Sequence, residues 1–177
     1  MLSRSALIAA SAATLLAACS SADEPVAEDN AAAVPAPVMT STPTPTVAAD
    51  GSPLAMGSWN INESATGASA TFGETNGDAL LTITCDRASR TLSLAVSNST
   101  PGNQTFVVES GGTAARLDMV ADGNSALPRQ VAPIAIDAPV FGGFVQPGGT
   151  IEISQPGGAT LRVPSAPGIR RIFEACR

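Results

Sequence analysis

Three cysteines, at positions 19, 85 and 176, are the side chains whose type and placement bear most directly on chemistry. Cys85 and Cys176 lie about 90 residues apart rather than as Cys-x-x-Cys, and neither has a neighbouring base to hold a thiolate. Two outcomes are open to them, a structural disulfide or a pair of reactive thiols. The N-terminal residues read as an export signal, which places both thiols in an oxidising compartment and favours the disulfide. Closing a loop of that length is worth about 4 kcal/mol in the chain-entropy account.

Other chemistry is excluded by absence. The 177 residues contain no histidine, lysine or tyrosine. Without histidine no Ser-His-Asp or Cys-His arrangement can form, because the general base is missing. Without lysine there is no Schiff base, no Ser-Lys pair and no Gly-Lys phosphate loop. A zinc site would need Cys or His ligands, and no Asp-x-Asp-x-Asp-Gly calcium loop occurs. No metal or cofactor is expected. The formal net charge of −6, thinly spread arginines, five Phe and one Trp also disfavour nucleic acid as a partner.

Carboxylates and arginines remain. Asp118, Asp122 and Asp137 are candidates for a converging acid pair, although acids at turns are the ordinary case. Arg170, Arg171 and Arg177 are candidates for an edge binding lipid phosphate or a glycan carboxylate; the alternative is a solvated helix face on which Arg170 pairs with Glu174. Trp59, at the start of a strand, is expected in the core. No catalytic residue is assigned, and the domain is expected not to be an enzyme.

The first residues, Met1 to Arg4, are basic, and a small, apolar run follows from Ala6 to Ala18. This is the layout of an export signal, and the run falls short of the roughly 20 residues that span a bilayer. It ends in Leu16-Ala17-Ala18-Cys19, which closely resembles the bacterial lipobox. That resemblance implies cleavage before Cys19, lipidation of its sulfur (diacylglycerol and palmitate), and, since Ser20 is not aspartate, sorting to the outer membrane. Several acyl chains make such an anchor stable.

Residues 19–56 are rich in Ala, Pro, Ser, Thr and acid, with no arginine or aromatic side chain. Such a stretch buries too little apolar area to offset its ordering entropy, so it reads as a disordered tether between the signal (1–18) and a globular domain (57–177). About 120 residues suffice for one modest domain.

Within that domain, period-two alternation predicts strands. Leu81, Ile83 and Cys85 share one face, with Leu80, Thr82 and Thr84 on the other; Leu92, Leu94 and Val96 continue the pattern as the second arm of a hairpin. Further strands are expected at 58–61, 68–72, 105–109, 114–119, 131–136, 150–154 and 160–163. Gln146-Pro147-Gly148-Gly149 and Gln155-Pro156-Gly157-Gly158 form a small repeat of turns, each feeding an alternating strand. Ile169, Ile172, Phe173 and Cys176 fall on one helical face, with Ser165 as expected N-cap and Pro167 in the first turn. The expected fold is mostly β, a small antiparallel sandwich or barrel with a short C-terminal helix.

Trp59, Ala70-Thr71-Phe72-Gly73, Leu81 to Asp86, Val163-Pro164-Ser165 and Arg171 to Arg177 together resemble a group of small alphaproteobacterial lipoproteins with no established activity. The group's final helix opens with an acid three residues after the serine, a position held here by Gly168, so its capping box is lost. The functional expectation is a membrane-anchored, non-catalytic binding or structural module in the cell envelope, facing the periplasm, with a protein or cell-wall partner. Two alternatives stand beside it: a carrier of a small apolar ligand in a barrel cavity, and an enzyme cleaving glycans with two carboxylates.

Overall fold

The computed structural model describes residues 44–98 and 100–177. The export signal, Cys19 and most of the expected tether therefore lie outside the described residues.

Nine strands form where alternation places them: β1 (Ser58–Glu63), β2 (Gly67–Gly73), β3 (Ala79–Asp86), β4 (Thr91–Ser97), β5 (Gln104–Ser110), β6 (Thr113–Ala121), β7 (Arg129–Pro133), β8 (Thr150–Ser154) and β9 (Thr160–Pro164). They join one sheet in the order β1-β2-β3-β4-β7-β6-β5-β8-β9, every neighbour antiparallel. β5 and β6 are linked by Gly111-Gly112, both at positive φ (59° and 74°). A two-residue hairpin turn with that twist needs such a backbone, and glycine adopts it without steric cost.

The sheet coils into a half-barrel. One face of each strand supplies the core: Ala70 and Phe72 from β2, Leu81, Ile83 and Cys85 from β3, Leu94 and Val96 from β4, Met119 from β6, Phe106 and Val108 from β5, and Ile151 and Ile153 from β8. Eight successive antiparallel pairings, an even number, leave the end strands β1 and β9 running the same way. The Trp59 indole of β1 donates to the Pro164 carbonyl of β9 at 2.6 Å, and just before β1 the Ala55 amide donates to the Arg162 carbonyl at 2.7 Å.

Residues 54 and 55, expected in the tether, thus reach this seam, and the residues before them fold into a turn. Val47 bridges Pro53, and Leu54 is buried. Two helical pieces complete the core, α1 (Pro139–Gly143) and α2 (Arg170–Ala175), the latter led by a 3-10 turn, Pro167–Ile169. The α1 turn lies between strands, where the sequence pattern predicts no helix. A Cβ on Gly143 would lie 2.6 Å from the Gly111 amide nitrogen, so glycine here lets α1 pack directly on the end of β5. β7 ends at Pro133 rather than at Ile136, as proline cannot donate to a ladder.

The apolar face read for the last helix is present, with Ile169 and Ile172 fully buried. Its expected cap is not. Ser165 is buried and donates its hydroxyl to the Gln146 carbonyl instead, and Ala166 occupies the cap position without a side-chain bond. Cys85 and Cys176 form a disulfide, their Cα atoms 5.7 Å apart, which fastens the end of α2 to β3.

Candidate functional site

One end of the half-barrel is open. There the starts of β3, β5, β7 and β9 meet the ends of β4 and β8 around a cleft of about 560 Å³. Its floor is apolar, made by Leu80, Val96, Phe106, Ile153 and Leu161. Four of these follow from strand alternation, but Leu80 does not. The β2–β3 register passes from Phe72↔Leu81 to Gly73↔Ala79, leaving Leu80 as the extra residue of a bulge. The bulge takes Leu80 off the outer face shared by Thr82 and Thr84 and packs it against the core at the cleft. The expected placement of Leu80 on the outer face is corrected accordingly.

The rim carries amides and hydroxyls from Asn98, Thr100, Gln155 and Thr160, and none of the described residues lining the cleft is charged. Asn98 donates to the Gln155 side-chain oxygen at 3.2 Å, and Gln155 donates on to Gln104. Beneath the rim Gln130 is fully buried. Its amide nitrogen donates to the carbonyls of Thr100 (3.0 Å) and Gly102 (2.9 Å), pinning the β4–β5 connection at the mouth. Nothing in a single sequence marks these residues, since they gather only when six strand ends converge. Chemically the cleft offers apolar contact and neutral hydrogen bonds.

The sequence candidates fall elsewhere. Arg171 pairs with Glu63 at 3.6 Å and lines a different cleft from the one that Arg170 and Arg177 share, with Glu174 bordering both. The three arginines therefore do not form one edge. The expected Arg170–Glu174 pair is not among the ion pairs of the described residues. Trp59 is half-buried and tilted against Phe72, ring centres 5.4 Å apart.

Asp118, Asp122 and Asp137 are each placed separately. Asp118 accepts from the Thr105 hydroxyl at 2.7 Å, and that bond together with the Arg116 charge holds its carboxyl below the ordinary range. Asp122 is lowered by the Asn124 amide and by Arg129, which donates to it at 2.9 Å. Asp137 is exposed in the segment before α1. A different acid pair, missed in the sequence, arises from strand order: Glu109 on β5 lies opposite Glu152 on β8. Arg162, opposite Glu152 on β9, stands 3.2 Å from it. Glycosidase acids flank the scissile bond from two sides of a cleft, whereas these two sit side by side on one outer sheet face.

Compared with known protein families, with curated proteins and with solved structures, the chain matches none.

Proposed function

We propose that this protein is a lipid-tethered bacterial envelope module that binds a partner without transforming it, and that the open end of the half-barrel is its contact surface. The observation carrying this reading is how the concave face is used. Phe72, Phe141, Phe144 and the aliphatic side chains around them fill it, and the space left for a partner is an uncharged, apolar-floored cleft at one end. Such a surface selects an apolar group framed by neutral hydrogen-bonding atoms, because a charge placed there would lose its hydration without a counter-ion. The anchor follows from Cys19 and its lipobox-like setting, and the proposed site of action is the periplasmic face of the outer membrane.

The carrier reading survives in altered form. A small apolar ligand would sit in the mouth, half enclosed, rather than inside a sealed barrel.

Photo-crosslinking of the full-length protein in cells tests the proposal. A photoreactive residue at Thr160, on the cleft rim, is expected to yield a discrete adduct, and one at Asn60, on the outer face of β1, none. Equal labelling from both positions would remove the mouth as the contact surface. Incorporation of an alkyne-tagged fatty acid is expected in the wild type and absent in Cys19→Ser. Turnover of an envelope glycan by the purified protein would overturn the non-catalytic reading.

A further inference from the structure

At the end of the half-barrel away from the mouth, α1 and α2 enclose a cleft of about 160 Å³. Its floor is aromatic and aliphatic: Phe141 of α1 and Phe173 of α2 meet edge to face with ring centres 6.5 Å apart, and Val145 lies beside them. Arg170, Glu174 and Arg177 stand on its rim. Arg170 opens α2 and Arg177 lies two residues beyond its last residue, and both line this cleft. Neither has an ion-pair partner within 4.0 Å among the described residues.

We infer that this cleft binds the phosphodiester headgroup of an anionic phospholipid. Two guanidiniums on one rim can each donate to a different oxygen of a tetrahedral oxyanion, whereas a planar carboxylate presents both oxygens to a single guanidinium. Ile136 and Val145, both half-buried in the lining, supply the contact that a lipid's first methylenes use and that an inorganic anion leaves exposed. Arg171, turned to Glu63, takes no part. The inference rests on this cleft alone and is independent of the mouth.

Titration of the full-length chain with monomeric dihexanoylphosphatidylglycerol tests it, read by hydrogen exchange over residues 139–145 and 169–177. Exchange there is expected to slow saturably. Each arginine near a lipid phosphate is worth about fivefold in affinity, so Arg170→Gln with Arg177→Gln is expected to weaken the midpoint by roughly 25-fold. Arg171→Gln is expected to leave the midpoint unchanged, and because it also removes one positive charge from α2 it controls for charge loss. An unchanged midpoint in the double variant would overturn the inference. So would equal protection by dihexanoylphosphatidylcholine, whose headgroup has no net charge. The same protection by inorganic phosphate would show a free-anion site in place of a lipid one.

Discussion

Cys176, one residue beyond α2, is bonded to Cys85 near the end of β3, across a sequence separation of 91. Everything from the β3–β4 turn to the last helix lies inside that covalent loop, so the bond ties the end of the chain to strands formed early in it. Cys85 is buried on the core face of β3 and Cys176 is half-buried. Replacing both with alanine is expected to cost about 4 kcal/mol, through the regained freedom of a long unfolded loop. Urea denaturation of the double variant checks this, and its native-state hydrogen exchange should be fastest in α2.

Gln130 gives a prediction about the mouth. It is fully buried, and its amide nitrogen holds two carbonyls of the β4–β5 connection. Gln130→Ala removes both bonds and leaves a void, an expected loss of about 2–3 kcal/mol. Gln130→Glu is expected to be at least as harmful, because it buries a charge and removes the amide donors. Chemical denaturation measures the loss, and amide exchange at residues 100–103 should rise in both variants.

Much of this fold was legible because alternation is a strong signal when one sheet face is buried. Leu92, Leu94 and Val96 point inward as their spacing requires, and the two Pro-Gly-Gly turns each precede a strand. The departures share a cause, which is that contacts between distant segments override local pattern. Nothing in the sequence marks α1 until the end of β5 is seen against Gly143. Ser165 reads as a cap until Gln146 offers a carbonyl. Leu80 obeys alternation until the bulge intervenes. The mouth itself was not legible, as its side chains come from six strand ends in an order the sequence does not spell out.

Acid should weaken the domain through its exposed aspartates. The Asn124 amide and Arg129 hold the Asp122 carboxyl below the ordinary range, and the Ser89 amide and hydroxyl do the same for Asp86 at the β3–β4 turn. A carboxyl lowered in the folded state contributes stability above its unfolded value, about 3.9, and loses that contribution as pH falls through the folded value. Asp122→Asn removes the titrating charge. The variant is therefore expected to be less stable than wild type near neutral pH, with the two converging in strong acid. Urea midpoints across that pH range test it; a gap that stays constant would exclude Asp122 as a source of the acid response.

The end strands β1 and β9 share no ladder and are held at their seam by isolated bonds. Trp59 carries one of those bonds, from its indole N–H to the Pro164 carbonyl, and also packs on Phe72. Trp59→Phe keeps the ring contact and loses only the bond, so the expected cost is about 1 kcal/mol. Trp59→Ala loses the packing as well, at about 3 kcal/mol, the lower end for a large aromatic because the side chain is only half-buried. If the seam opens locally, the amides of Ala55 and of residues 160–164 should exchange faster in Trp59→Phe while those of β3 and β4 keep their wild-type rates. Uniformly faster exchange would mean that the seam and the sheet open as one unit.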